Sequence, residues 1–480
     1  MTEGQKGAAA AKKILIGGEW RDGSESFEVR SPYSGELISE VHSAAGGDEL
    51  HAAMSESVLA ARSMKHLPRF QIAAGLQKIA DGIEKRKQEF IETIVGESAK
   101  PVRYARGEVE RAIATFHTAA GEVERFVGEI VPVDAQATGR GKTAWTLRVP
   151  RGVIYGITPF NFPLNLVAHK VAPALASGNS IIIKPSPRTP LTSLLLGEVF
   201  LDSGLPESAL QVVPMDVNLI PTILGDDRIA MISFTGSAPV GWDIKAKAGK
   251  KAVALELGGN ASVIVDQSAD LASSVSKNLV GAFAYSGQVC ISVQRIYIHE
   301  RRFEEWVESF VAGAKGLKKG DPNDPGTELS VMIDKPAADR VREWIDEAVG
   351  NGAKLLTGGS VDGSMLDPVV LTNSDPEMRV VAEEAFGPVT VVEKFNDFSE
   401  AVNMANHGKY GLQAGVFTRE LANMNYAAEH LEYGGVIVND VPTFRVDNMP
   451  YGGVKDSGFG REGVRYAMEE MTERRLIVIN

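Results

Sequence analysis

From Gly152 onward the sequence alternates short, uninterrupted apolar runs with helical stretches. Val153-Ile154-Tyr155-Gly156-Ile157, Ser180-Ile181-Ile182-Ile183-Lys184, Leu210-Gln211-Val212-Val213 and Ile229–Phe234 read as strands. Asn165–Ala176, Thr192–Ser203 and Val240–Ala248 read as the helices between them. A strand that is apolar on both faces needs cover on both faces, and repeated strand–helix units supply it around a parallel sheet. A second such unit runs from about Glu256 to Asn439. Val253–Leu257 and Ser262–Val265 read as strands at its start, and its further strands include Val369–Leu371, Val389–Val392, Ala414–Phe417 and Gly435–Val438. At 480 residues the chain exceeds the usual single-core size, and two or three α/β domains are expected. Parallel sheets of this kind bind ligands at the carboxyl ends of their strands.

The first 150 residues are different. Ile14–Trp20 reads as a strand running into the Gly17-Gly18 turn, with Phe27-Glu28-Val29 as its hairpin partner. Asp48–Ala61, Pro68–Lys100 and Gly107–Val127 carry helical periodicity. Ile130–Leu147 has none and reads as a projecting β-hairpin around Gly139-Arg140-Gly141-Lys142. The closing run Leu476–Ile479 is a short apolar strand, and such a strand seeks a partner edge. Hairpin and tail either meet within the chain or mediate a subunit contact. Met1–Ala11 lacks the apolar core of an export signal. No run of about 18 apolar residues is present. A cytoplasmic protein with no membrane partner is expected. The net charge of −12 argues against a nucleic-acid-binding face.

Cys290 is the only cysteine, so it has no disulfide partner within the chain, and a thiolate-rich metal site is excluded. It is either a small buried hydrophobe or a nucleophile. Several stretches could serve a nucleophile. Thr158-Pro159-Phe160-Asn161-Phe162-Pro163 joins a strand to a helix, and its prolines fix the Asn161 carboxamide as an oxyanion donor or as a helix cap. Lys184 ends a buried strand where a nucleotide ribose or phosphate would sit, unless it simply reaches solvent. Phe234–Gly241 is a glycine turn opening a helix, whose backbone N–H groups can receive phosphate. Gly458-Phe459-Gly460-Arg461-Glu462-Gly463 matches G-x-G-x-x-G, but no strand leads into it, and it is set aside as a dinucleotide fingerprint. Glu256 ends an apolar strand, where burial would raise its pKa toward that of a general base; the alternative is a structural ion pair. Of Glu383 and Glu384, one could accept hydrogen bonds from a ribose; the alternative is a solvated pair. The sequon Asn260-Ala261-Ser262 carries no weight without an export signal.

In order along the chain stand Pro159-Phe160-Asn161-Phe162-Pro163, Lys184-Pro185-Ser186, Phe234-Thr235-Gly236-Ser237, Glu256-Leu257-Gly258-Gly259, Gly287-Gln288-Val289-Cys290, Glu384-Ala385-Phe386-Gly387-Pro388 and Pro450–Gly458. From about Ile14 to Asn480 the chain thereby resembles the NAD(P)-dependent aldehyde dehydrogenase superfamily, and within it the lactaldehyde and succinate-semialdehyde dehydrogenase-like branches. The resemblance implies two Rossmann-like domains. Residues 1–129 and 148–255 would bind the cofactor, 256–439 would be catalytic, and 130–147 with 465–480 would form the oligomerisation element of a homodimer or homotetramer. It implies that Cys290 attacks an aldehyde to give a thiohemiacetal, with Asn161 and the Cys290 N–H holding the oxyanion. Loss of hydride to the nicotinamide leaves a thioester, which Glu256 hydrolyses through water. Lys170 lies near the site. Lys184 and Ser186 would meet the adenosine ribose, Gly236 and Ser237 the pyrophosphate, and Glu384 the nicotinamide ribose, with Pro159, Phe160 and Phe386 beside the cofactor.

Two departures bear on specificity. A glutamate common three residues after the Lys184 equivalent would repel a 2′-phosphate. Here Pro187 stands there, followed by Arg188, so either NAD or NADP is admissible. His169 replaces a large apolar pocket residue, and Arg445 and Arg103 fall in pocket segments alongside Phe162. The expected substrate is therefore a small polar, anionic aldehyde oxidised to its carboxylate. No metal is expected. The rivals are an enzyme passing its thioester to CoA and a catalytically silent binding or structural relative.

Overall fold

The computed structural model describes residues 11–480. Met1–Ala11, read above as no export signal, lies outside it up to residue 10. Two sheets dominate. The first has eight strands, in the order Glu19–Arg21, Ile14–Ile16, Leu210–Val212, Ser180–Lys184, Val153–Ile157, Ile229–Thr235, Ala252–Glu256 and Gly458–Phe459. Its five inner strands are parallel and its edges antiparallel. Ile181, Ile182 and Ile183 are wholly covered, as an unbroken β-branched run requires. The second sheet orders Lys354–Thr357, Val369–Thr372, Val389–Phe395, Val293–His299, Ala261–Val265, Gln413–Phe417 and Gly435–Val438. All its pairs are parallel except the first.

The sheets meet end to end with opposite polarity. The first offers the carboxyl ends of its strands, where Asn161, Gly236 and Glu256 follow or close Val153–Ile157, Ile229–Thr235 and Ala252–Glu256. The second offers amino ends, since Gly259, Cys290 and Gly387 lie just before Ala261–Val265, Val293–His299 and Val389–Phe395. The carboxyl-end rule thus places only half of the cleft.

Three local expectations need correction. Ile14–Ile16 pairs with Glu19–Arg21 across Gly17-Gly18, both at positive φ, and not with Phe27–Val29. The latter belongs to Glu25–Arg30, which pairs with Leu37–Ser43. Two glycines close a two-residue hairpin, which leaves no room for a longer excursion. The expected long helix is two, Arg69–Lys85 and Lys87–Ser98, because Arg86 leaves helical dihedrals. Its guanidinium binds Glu89 and Glu198 at 2.7–2.8 Å, and the apolar period continues across the break, hiding it. The hairpin is present as Ile130–Val131 against Thr143–Pro150, with two short 3-10 turns between. Thr472–Ile479 pairs antiparallel with Thr143–Pro150 along its whole length, so tail and hairpin meet within the chain. Of the closing segment, Val464–Glu470 is instead a helix packed on Asn165–Ala176. Among the described residues no helix is long and apolar enough to cross a membrane.

Two helices of the first unit borrow their caps. Neither Leu191–Leu201 nor Asn165–Ala176 has a capping side chain of its own. Glu97 accepts from the Leu191 and Thr192 N–H groups at 2.8 and 3.0 Å, and Glu108 accepts from Leu164 and Asn165 at 2.9 and 3.2 Å. Both carboxylates are buried, and Glu108 is also paired with buried Lys100. They satisfy helix N–H groups that would otherwise be stranded. Burial pushes Glu97 up to about 8, against the hydrogen bonds from Thr192 and Leu191. The folded protein then holds a proton that the unfolded chain releases above its ordinary value of 4.5. The contribution of Glu97 to stability is largest below that value, falls as pH rises and levels off above about 8. The stability difference between wild type and Glu97→Gln should therefore shift against wild type from pH 5 to pH 8, at up to about 1.4 kcal/mol per pH unit. Denaturant unfolding across that range measures it, and a constant difference would remove the assignment.

Candidate active site

Between the two sheets lies a cleft of about 920 Å³, and loops from both line it. Asn161 reaches it from the first sheet. Its Nδ2 donates to the Gln288 carbonyl at 2.9 Å, while Oδ1 is buried without a partner. The adjoining helix starts at Asn165 and is capped by Glu108, so Asn161 is not its cap. One N–H of the carboxamide ties the two halves of the cleft together and the other remains for a ligand.

Cys290 arrives on an unusual turn. Tyr285, Ser286 and Gly287 are consecutively left-handed, at φ of 51°, 54° and 68°. Two non-glycine residues in that region cost energy and persist only where the surroundings over-determine them. The Ser286 hydroxyl donates to the Ser330 carbonyl at 2.6 Å, and Gln288 Oε1 accepts from Ile333 at 2.9 Å. A Cβ on Gly287 would stand 2.1 Å from the Gly387 carbonyl, so the turn packs against the Phe386–Pro388 loop at contact distance. The Cys290 sulfur lies 3.3 Å from the Tyr451 hydroxyl. Burial pushes the thiol up to about 11. The Tyr451 hydrogen bond opposes this, Glu384 adds to it, Arg445 opposes it and Glu256 adds to it.

Glu256 is buried, and its Oε2 has no partner. Burial and then Glu462 raise its pKa well above the usual range, against Arg445 and Lys170. It is a carboxyl group that takes up a proton readily, in a cleft that holds one thiol.

Behind it stands a buried ionic cluster. Lys170 donates to Ser233, Thr235 and Glu462 at 3.1, 2.7 and 3.2 Å. His169 sits between Asp447, 2.8 Å from Nε2, and Arg445, 3.1 Å from Nδ1. Arg445 donates to Glu462 at 3.1 Å and lies over the Tyr451 ring at 3.6 Å. Arg111 donates to Asp447 at 2.9 Å. Burial disfavours ionisation of both acids, but His169 with Arg111 and Arg445 holds Asp447 well below the usual range. Lys170, His169 and Arg445 do the same for Glu462. The Nε of Arg111 and the Nε of Arg445 are buried donors with no hydrogen-bond partner, and both residues line the cleft. Arg103 lines the rim, half exposed, 3.5 Å from Glu328. Phe162 lines the cleft with the Lys100 ammonium 3.7 Å over its ring.

The remaining predicted residues divide. Pro159, Phe160, Gly236, Ser237, Glu384 and Phe386 line the same cleft, whereas Lys170, Lys184 and Ser186 do not. Phe160 and Phe386 meet edge to face at 5.8 Å. Burial pushes Glu384 up to about 7, against the Gly259 N–H, which it accepts at 3.0 Å, and Arg340. Lys184 is buried with only the Pro185 carbonyl at 3.5 Å, and burial lowers its pKa against Asp216. The Ser186 hydroxyl accepts from the Arg188 N–H at 3.2 Å. Sequence reasoning missed four residues. Glu462 lies inside the glycine pattern set aside as a fingerprint, and Tyr451 inside the Pro450–Gly458 motif. Asp447 and Arg111 gave no signal, since an arginine on an amphipathic helix reads as a solvated charge. Among the described residues no acidic, His or Cys group is arranged to hold a metal ion.

Comparison with known proteins places this architecture. The aldehyde dehydrogenase family profile matches residues 20–477. A 3-sulfolactaldehyde dehydrogenase of Priestia aryabhattai is 42% identical over 468 residues, 97% of this chain and 98% of its own. Aldehyde dehydrogenase 21 of Physcomitrella patens, crystallised with the reaction product succinate, is 42% identical and superposes with a TM-score of 0.96, covering 98% of this chain and 99% of that one. A glyceraldehyde-3-phosphate dehydrogenase of Methanocaldococcus jannaschii, crystallised with NADP, is 38% identical with a TM-score of 0.91, over 95% and 99%. With a cleft that brings one thiol, one buried carboxyl and one carboxamide together, the chain belongs to the aldehyde dehydrogenase family and is an NAD(P)-dependent oxidoreductase.

Proposed function

We infer that this enzyme oxidises a small aldehyde carrying an anionic group. The observation that carries the reading is the pair of arginines, Arg111 and Arg445, that line the cleft that holds Cys290. A guanidinium offers its N–H donors in a fixed fork, and a carboxylate, sulfonate or phosphate is the acceptor that suits it. The relatives named for 3-sulfolactaldehyde and glyceraldehyde-3-phosphate, and the one holding succinate, have ligands that share this feature. Arg445 is not a free anchor, as its other contacts are taken by Glu462 and His169. Arg111 is the more available partner, with a third of its side chain exposed. Arg103, at the rim and half exposed, would act in attraction more than in binding.

Cys290 attacks the carbonyl carbon, and the free Asn161 N–H with the Cys290 N–H holds the oxygen as it becomes an anion. The residues present fit NAD(P). Lys184 is a buried ammonium without an acidic partner in contact, and Gly236-Ser237 open the Ala238–Lys247 helix without a side-chain cap. Gly258, whose added Cβ would strike Glu384, keeps that carboxyl close to the chain. Lys184 and Ser186 would hold the adenosine ribose, Gly236 and Ser237 the pyrophosphate, and Glu384 the nicotinamide ribose, between Pro159, Phe160 and Phe386. When bound, the nicotinamide supplies the two-electron acceptor that turns the Cys290 adduct into a thioester. Glu256 then takes a proton from water, which attacks the acyl carbon. Its unpaired Oε2 and raised pKa suit that role and favour hydrolysis over transfer to CoA. Cys290, Glu256 and Asn161 together speak against a silent relative. The exposed apolar side chains Ile130, Leu476 and Ile479 on the three-stranded hairpin sheet support assembly as a homodimer or homotetramer.

Cys290→Ala should abolish NAD(P)H production from any aldehyde; retained turnover would sink the nucleophile. Glu256→Gln should keep the first-turnover burst and slow the steady rate by about 10²-fold or more. Arg111→Ala should raise KM about tenfold or more for anionic aldehydes and leave neutral aldehydes of similar size unchanged. Equal effects on both would remove the anion reading. Leu476→Lys combined with Ile479→Lys should lower the mass seen by light scattering, and an unchanged mass would exclude this sheet as the contact.

A further inference from the structure

The mechanism above leaves one side chain unused although it touches the reacting atom. Tyr451 Oη is the hydrogen-bond partner of Cys290 Sγ, at 3.3 Å. When the sulfur is anionic it has no proton to give, so the phenol is the donor. Nothing about the placement of this ring is loose. Its backbone exchanges hydrogen bonds with Glu462 in both directions, at 3.0 and 2.6 Å. The side chain is buried and packs with Ile291 and Leu412, beside Val289 and Cys290. The Arg445 guanidinium lies 3.6 Å from the ring centre, and Arg445 is itself fixed by Glu462 and His169. A cation over the ring withdraws electron density from the phenol and makes its O–H a stronger donor.

We propose that Tyr451 is a catalytic residue whose hydroxyl donates to the Cys290 sulfur whenever that sulfur is an anion. The assignment rests on the reading of Cys290 as the nucleophile. It serves at two points. Before attack, it holds the thiolate by a hydrogen bond at 3.3 Å. In thioester hydrolysis, Glu256 takes one proton of water as the oxygen bonds to the acyl carbon. The C–S bond then breaks, its electron pair stays on sulfur, and the Tyr451 O–H is already aimed at it. The two acids in the cleft, Glu256 and Glu384, disfavour the thiolate, and Arg445 and Tyr451 are the groups that favour it. Arg445 lies over the face of the ring, 3.6 Å from its centre.

Tyr451→Phe keeps the ring and its stack on Arg445 and removes only the hydroxyl. The test uses cofactor-free enzyme and iodoacetamide, and with a single cysteine the alkylation reports Cys290 alone. Tyr451→Phe should displace the pH–rate profile of alkylation upward by about one unit, so that the rate at pH 8 falls about tenfold. It should also slow the burst and the steady rate while leaving KM for NADP in place. Superimposable profiles, or faster alkylation, would overturn the proposal. An unchanged unfolding midpoint assigns the displacement to the hydroxyl, and a lowered midpoint with a wild-type profile overturns it equally. Turnover by Cys290→Ala would remove the nucleophile reading instead, and the alkylation profiles would still decide the hydrogen bond.

Discussion

Burying a thiolate strips it of hydration, and the polar groups of this cleft are arranged against that cost. Cys290 sits where two sheets abut, the carboxyl ends of one against the amino ends of the other. The junction is dry enough to push the thiol up to about 11 and Glu384 up to about 7. Dryness weakens the nucleophile in the resting protein but strengthens every dipole aimed at the oxyanion. It also gives Glu256 the proton affinity a general base needs. Burial thus accounts for the raised pKa of Cys290, Glu256 and Glu384, and the left-handed turn through Tyr285, Ser286 and Gly287 is what delivers the sulfur there.

The ionic cluster behind the cleft has a different logic. Lys170, Arg111 and Arg445 are balanced by Asp447 and Glu462, with His169 between them. Buried ion pairs contribute little net stability, because desolvation consumes most of the Coulomb gain. They do fix geometry. Arg445 cannot swing toward solvent while Glu462 and His169 hold it, so its plane stays on Tyr451. A flexible arginine would bind an anion at the cost of its own rotamer freedom, about 2 kcal/mol for such a side chain. A held one has that cost met during folding.

Much of the architecture was legible in the chain. The runs through Ile181–Ile183 and Ser262–Val265 read as covered parallel strands and are so, and the ordered motifs identified the family. What was not legible has a common cause, namely partners far apart in sequence. Glu97 and Glu108 cap helices about 94 and 56 residues away, and no local pattern announces that. Glu462 was passed over because its glycines did not follow a strand, yet those glycines turn the chain so that Glu462 meets Lys170 from 292 residues away. Arg111 looked solvated because its helix is amphipathic, and only the fold shows that its polar face borders a cleft. The Phe27–Val29 pairing failed for a local reason: two glycines make the tightest hairpin turn, and Glu19-Trp20-Arg21 is too polar to read as a strand.

Specificity follows from how these two layers meet. Arg111, Arg445, Asn161 and Cys290 lie in one cleft of about 920 Å³, which the proposed cofactor residues Pro159, Phe160, Gly236, Ser237, Glu384 and Phe386 also line. A neutral aldehyde would find the same sulfur. On the proposed reading, selection comes from the guanidiniums of Arg111 and Arg445, with which an anionic group would pair. An anion bound there also fixes how far the carbonyl can lie from Cys290, since both guanidiniums are tied to Asp447 or Glu462 and cannot follow a longer or shorter chain. On that reading, recognition of charge and recognition of length become one constraint, set by Asp447 and Glu462, the carboxylates that hold the two guanidiniums.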